Sequence, residues 1–203
     1  MKVLLINGSC NKNGCTFRAL TEIETVLNKE NIETEIIQLG SEPIRDCIGC
    51  HGCAKNGNKC VFKDDIVNEI IEKTKNCDGF VFGSPVYYAH PSGRLLSVLD
   101  RVFYAGGKFL AYKPGAAVVS ARRAGTTASI DVINKYFTIN NMPVVSSQYW
   151  NMVHGSKAED VEKDLEGMYV MKNIGRNMAW LLNSIKQNTH PEPGQKPITS
   201  FIR

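Results

Sequence analysis

The sequence predicts an α/β fold built on one doubly wound, five-stranded parallel sheet of order 2-1-3-4-5. Short apolar runs alternate with longer segments whose apolar residues recur at helical spacing, the rhythm of strand–helix–strand units. The short runs are apolar almost throughout, as strands buried on both faces of a parallel sheet are. A chain of 203 residues can bury one good core, and nothing in it calls for two.

The elements follow in order. Residues 2–7 (KVLLIN) make the first strand, ended by Gly8 and Ser9. A helix is expected over 16–29, where Phe17, Leu20, Ile23, Val26 and Leu27 share one face. Asn31 turns the chain into a second strand at 33–39. A cysteine-rich segment follows, and Asp64 and Asp65 then open a helix, acids at its positive end. Residues 79–83 (GFVFG) form the third strand and 92–104 a helix. The fourth strand is expected at 116–120, a helix at 127–140, a short fifth strand at 143–146, and a final amphipathic helix at about 158–186. Residues 1–187 thus read as one domain with a cysteine-rich insertion at 47–60. The tail 188–203, with Pro191, Pro193 and Pro197, suits neither helix nor strand and reads as a loose end or an inter-subunit arm.

Composition narrows the function classes. Apolar residues at 43% and charged residues at 22% are ordinary for a globular domain. The net charge of +4 comes from scattered residues, so no nucleic-acid partner is expected. The apolar run Val3 to Ile6 is too short for a signal peptide or a membrane span, so a cytoplasmic protein without a membrane partner is expected. Seven cysteines in a reducing compartment act as thiols or metal ligands rather than disulfides.

Four of those cysteines lie within fourteen residues, as Cys47-x2-Cys50-x2-Cys53-x6-Cys60. Thiolates are soft ligands, and four this close can surround one metal centre. Zinc sites usually pair two C-x2-C knuckles across a longer loop. The overlapping run is nearer to the spacing of iron–sulfur ligands, while a thioredoxin-like site normally has a single C-x2-C. Iron–sulfur cluster, zinc and free thiols stay open at this point. His51 is a further donor, but four thiolates suffice without it; Cys10 and Cys77 read as structural.

Three loops at expected strand ends carry the remaining chemistry. The first, Gly8 to Thr16 (GSCNKNGCT), joins a strand to a helix N-terminus, where amides and dipole bind phosphate. It lacks both the P-loop G-x-x-x-x-G-K-[ST] and the dinucleotide G-x-G-x-x-G; Cys15 would contribute its amide rather than its thiol. The second, Gly83 to Gly93 (GSPVYYAHPSG), sets two tyrosines among prolines, a flat wall of the kind an isoalloxazine ring needs. His90 within it reads as a solvated side chain. The third, Ser120 to Thr126 (SARRAGT), offers cationic groups to a reduced flavin or to the 2′-phosphate of NADPH.

With VLLINGSCNKNGCT, GSPVYYAHPSG and LLSVLDR in place, the chain resembles the NADPH-dependent FMN reductases of the flavodoxin-like superfamily, over about residues 1–187. CIGCHGCAKNGNKC is similar to the compact motif of that group's iron–sulfur flavoproteins. The resemblance implies that Ser9, Asn11, Asn13, Cys15 and Thr16 hold the FMN phosphate. It implies that Ser84, Pro85, Val86, Tyr87, Tyr88, Ser120, Arg122 and Gly125 border the ring and ribityl chain. Cys47, Cys50, Cys53 and Cys60 would ligate a 4Fe–4S cluster. Where the family often has Pro-Arg after Gly-Ser, this chain has Cys10-Asn11, which removes one charged phosphate partner.

The expected function is an FMN-dependent oxidoreductase passing electrons between FMN and the cluster, with a small molecule or a ferredoxin-like protein as donor or acceptor. A cluster-free NAD(P)H-dependent reductase of FMN, quinones or azo compounds is the alternative. Two others are a non-catalytic electron carrier, disfavoured by the positive net charge, and a zinc-stabilised binding protein. Tyr149, Trp150 and Met152 in 147–154 fit no core pattern and mark an interface, so a homodimer or homotetramer is expected.

Overall fold

The computed structural model describes residues 1–186, 189–192 and 194. Five parallel strands form the sheet: β1 (Lys2–Asn7), β2 (Glu33–Gln38), β3 (Gly79–Tyr87), β5 (Gly115–Ala121) and β6 (Met152–His154). They lie side by side as β2-β1-β3-β5-β6, the expected 2-1-3-4-5 of a flavodoxin-like sheet. A two-residue strand, β4 (His90–Pro91), folds back antiparallel on the end of β3.

Strand side chains alternate between two cores because successive Cβ atoms point to opposite faces. Leu4, Ile6, Phe80, Phe82, Ala117 and Val119 face α2 (Val67–Thr74), α3 (Gly93–Gly106) and α4 (Thr126–Ile139). Val3, Leu5, Val81, Ala116 and Val118 face α1 (Cys15–Lys29) and α6 (Leu165–Ile185). Both faces are therefore dry, which is why these strands read as unbroken apolar runs. Phe82 stacks on Phe137 of α4 with centroids 5.3 Å apart and meets Phe103 of α3 edge-on at 6.1 Å. Tyr136 of α4 donates its hydroxyl to Asp100 of α3, tying those helices together.

Four expectations need correction. The fifth strand lies at Met152–His154, not at 143–146. Val144 makes a single bridge to Gly115, with Gly115 N donating to Pro143 O at 2.9 Å and Val145 N to Gly115 O at 2.8 Å. The Asn151 side chain then donates to the Val145 carbonyl at 3.2 Å in place of the next strand amide. The chain then leaves the sheet, turns on the Ser147 hydroxyl, and re-enters where Val119 N donates to Asn151 O at 3.1 Å. That re-entry buries Met152, whereas Tyr149 and Trp150 stay about half exposed. The final helix is two helices, α5 (Ala158–Val161) and α6, because the Asp164 carboxylate caps Gly167 N at 2.9 Å and stops a continuous run. The helix expected at Asp64 begins at Val67, with Asp65 outside it accepting from Val67 N at 3.1 Å. Strand β3 runs on to Tyr87, so the loop expected after residue 83 is partly a hairpin.

The tail expected over 188–203 lies mostly outside the described residues. Within its described part the His190 ring stacks on Tyr112 at 4.4 Å.

Phe82→Ala is expected to lower unfolding stability by about 3–5 kcal/mol, the cost of an emptied aromatic site. The shift in the urea midpoint, followed by far-ultraviolet circular dichroism, measures it.

Candidate functional site

The carboxyl ends of β1, β3 and β5 bring the three chemistry-bearing loops together, and backbone geometry fixes them there. Gly8 leaves β1 so close to β3 that a Cβ would meet Gly83 O and the Leu95 Cβ, each at 2.8 Å. The Ser92 hydroxyl donates to Gly8 O at 2.8 Å and caps Leu95 N at 3.3 Å. Ser84 Oγ in turn accepts from Ser92 N at 2.8 Å. Ser84 thus fastens the loops to one another and to α3 with a buried side chain.

The loop after β1 winds through successive side-chain-to-backbone contacts. Ser9 N donates to Asn7 Oδ1 at 3.1 Å, Asn11 N to Ser9 Oγ at 3.1 Å, and Asn13 N to Asn11 Oδ1 at 3.2 Å. Gln38 of β2 donates to Ser9 O at 2.6 Å and accepts from Asn7. No side chain caps the N-terminus of α1, and its first turn carries no acid. Its leading amides and dipole are therefore placed to take an anion. Thr16 is buried, with its hydroxyl 2.9 Å from that of Ser120 across the site. Burial pushes the Cys15 thiol up from its ordinary range, with Asp160 and Glu159 adding to the effect, so it stays protonated. Cys10, expected as structural, is exposed. It sits beside Tyr87, whose phenol is pushed up by burial and then by Cys10.

The facing wall is the β3–β4 hairpin. Its two central residues, Tyr88 and Ala89, have φ of 51° and 59°, the left-handed pair of a type I′ turn. Neither is the Gly or Asn that such turns favour, so the tip stores strain. Tyr87 and Tyr88 are both exposed. Gly125, at φ 88°, packs under this tip: a Cβ there would lie 2.5 Å from the Ala89 Cα. Arg122 and Arg123 flank it in the open, and Pro85 and Val86 complete the hairpin's base, half-buried.

The cysteine segment departs from Gly40 and lies along α3. Arg94 holds its start, donating to Gly40 O at 2.7 Å and Ser41 O at 3.0 Å. Asn68 of α2 holds its end: Cys60 N donates to Asn68 Oδ1 at 2.8 Å, and Nδ2 donates to Cys60 O and Phe62 O at 3.1 and 2.7 Å. Between these anchors Gly49, His51, Gly57 and Asn58 turn with positive φ. All four cysteines line one hollow, with Ile48, Val61, Phe62 and Tyr104 as its apolar wall. The Cys53 thiol is pushed up by burial first, then by Cys60, Cys50 and Cys47 as near neighbours. His51 borders the same hollow. Among the described residues, no three His, Cys, Asp or Glu side chains converge tightly enough for a single metal ion, and all seven cysteines are free. Cys77 is buried.

Residues 1–157 match the family model of NADPH-dependent FMN reductases. The chain belongs to that family. Within it, the protein is an FMN-dependent oxidoreductase with a flavodoxin-like fold. It is 34% identical to an iron-sulfur flavoprotein of Methanocaldococcus jannaschii, over 92% of this chain and 100% of the relative. It is 27% identical to an iron-sulfur flavoprotein of Methanosarcina thermophila, over 93% and 98% of the two chains. Among solved structures it is similar to RosB with a bound flavin intermediate at a TM-score of 0.70. That match has 12% identity and covers 100% of this chain and 92% of the other. An archaeal flavodoxin superposes at 0.60, with 15% identity and coverage of 90% and 99%. These two likenesses bear on the fold alone. No described helix is long and apolar enough to cross a membrane.

Sequence reading missed several supports of this candidate site: Asn7 and Gln38 behind the first loop, Ser92 capping α3 and Arg94 on it, and Asn68 and Arg101 around the cysteines. Asn7 ends the first apolar run and Ser92 follows a proline, weak local signals. Asn68 acts on Cys60 and Phe62 just upstream with no motif to mark it, and Gln38, Arg94 and Arg101 act on partners far away in sequence.

Gly125→Ala should raise the dissociation constant for FMN about tenfold, a loss of about 1.4 kcal/mol, because the hairpin tip must move to admit the methyl group. Titration of the apoprotein with FMN, read by quenching of flavin fluorescence, checks this; an unchanged constant would detach this wall from the ring.

Proposed function

We propose that this FMN reductase family member is an iron–sulfur flavoprotein that relays electrons between FMN and a 4Fe–4S cluster held by Cys47, Cys50, Cys53 and Cys60. The observation that carries the reading is that those four cysteines line one largely apolar hollow beside α3, the helix whose N-terminus supports the loop after β1. Four thiolates in a C-x2-C-x2-C run are the donor set such clusters take, so the residues fit the group. Relatives that bear the name iron-sulfur flavoprotein and align over nearly the whole chain support it.

In this reading residues 1–187 are the FMN-binding domain. Ser9, Asn11, Asn13, Cys15 and Thr16 hold the phosphate, chiefly through the amides of the loop and of α1. Pro85, Val86, Tyr87, Tyr88, Arg122 and Gly125 border the ring, with Ser84 and Ser120 beneath it. FMN exchanges electrons in pairs or singly, and the cluster exchanges one. The chain's own part is to orient the flavin, exclude water with the hairpin and keep the sulfurs ordered; no side chain acts as nucleophile. A ferredoxin-like protein or a small molecule completes the couple. The seven free cysteines suit the cytoplasm. Exposed Tyr149 and Trp150 favour a homodimer or homotetramer.

A second reading, a cluster-free NAD(P)H-dependent reductase, draws on the family's description and on the open Arg122 and Arg123, which suit a 2′-phosphate.

Protein purified without oxygen is expected to show flavin absorbance with about four iron and four sulfide per chain. Cys50→Ser should lose most of the iron while keeping FMN. Flavin without iron in the wild type would overturn the relay and favour the second reading.

A further inference from the structure

We infer that Arg101 is a positioning residue for the metal centre, donating an N–H to the Cys60 sulfur and thereby raising the reduction potential of the bound cluster. The inference rests on the cluster reading above and adds a residue outside the cysteine motif. Arg101 projects from α3 and is 1% exposed. Its Nε donates to Cys60 Sγ at 3.2 Å. Nη1 donates to Arg45 O at 3.1 Å and to the Asp65 carboxylate, and Nη2 reaches the other Asp65 oxygen at 3.1 Å. The Phe62 ring covers the guanidinium, 5.3 Å from its carbon to the ring centroid.

The planar guanidinium is what makes this arrangement directional. Its donors sit in a rigid fork, so once Asp65 takes the two Nη groups, the Nε edge is fixed in direction. That edge meets a sulfur. Asp65 is itself anchored by accepting from Val67 N, and Cys60 by its paired bonds to Asn68. Donor and acceptor are therefore both held in register, one by α3 and the other by α2.

Reduction adds negative charge to a cluster and its thiolates. A hydrogen bond to a ligating sulfur stabilises that added charge, and such bonds are among the protein's levers on potential. With Cys60 and Arg101 both buried, little solvent intervenes to weaken the interaction. The Asp65 carboxylate offsets much of the net positive charge, so the directed N–H carries the effect more than the charge does. An ion pair with a purely structural purpose would need Asp65 alone and would leave the potential of a fully loaded protein where it was.

The test is a redox titration of the anaerobically purified holoprotein, followed by electron paramagnetic resonance of the cluster and absorbance of the flavin. Two variants are compared with wild type. Arg101→Lys keeps the charge and loses the fork. The double variant Arg101→Met with Asp65→Asn removes the buried pair from both sides, avoiding an orphaned carboxylate and keeping an acceptor for Val67 N. At the ambient potential that half-reduces the wild-type cluster, the double variant should show a reduced-to-oxidised ratio about tenfold lower. For a one-electron couple that is a shift of about 59 mV to more negative potential. Arg101→Lys should fall between, and the FMN potential should not move. An unchanged cluster potential in fully loaded variants overturns the inference. So does loss of iron from both variants with FMN retained, which would leave Arg101 a role in assembly only. Wild-type protein with FMN and no iron overturns the cluster reading itself, a failure visible before any variant is made.

Discussion

The guanidinium of Arg101 is almost entirely out of water, and a cation in that position has to find its partners within the protein. Those partners come from the long stretch between β2 and α2, which has no strand or helix of its own. Asp65, the Arg45 carbonyl, the Cys60 sulfur and the Phe62 ring close around it. The cysteine segment thus has a fixed shape without a core of its own. Breaking either side of the Arg101–Asp65 pair leaves an uncompensated buried charge, so the cost of disordering this segment is high although few apolar side chains hold it.

The same helix serves the other half of the site. Ser92 at the N-terminus of α3 clamps the first loop through Gly8 O and the third strand through Ser84. Arg101 lies nine residues further on, about 13 Å along the helix axis. A helix packed on a sheet by Leu95, Val98, Leu99 and Val102 does not flex much over that length. The loops proposed to hold FMN, and the cysteine hollow, are therefore held at a fixed separation by one rigid element, which suits the proposed relay.

Strain and restraint meet at the hairpin tip. Tyr88 and Ala89 occupy left-handed backbone conformations that Gly would adopt at lower cost. Gly125 sits hard beneath them, and the rings of Tyr87 and Tyr88 beside it are exposed. The tip is costly locally and is held by its neighbours, as walls that must keep a shape against a ligand often are.

By itself the sequence determined the sheet, its strand order, and the content of each loop. Those depend on local periodicity, on turn residues, and on the general rules for linking parallel strands. It also determined that four thiols lie close together, because their spacing is short. Tertiary structure decided where the edge strand re-enters the sheet, since the Asn151 side chain takes the Val145 carbonyl and Val119 N then donates to Asn151 O. It decided that Thr16 faces Ser120 across 104 residues, that Ser92 holds Gly8 across 84, and that Arg101 points at Cys60 across 41. Such contacts leave no periodic trace in the chain. A buried polar side chain is satisfied by whatever packing brings within about 3 Å, and only the completed fold sets which groups those are.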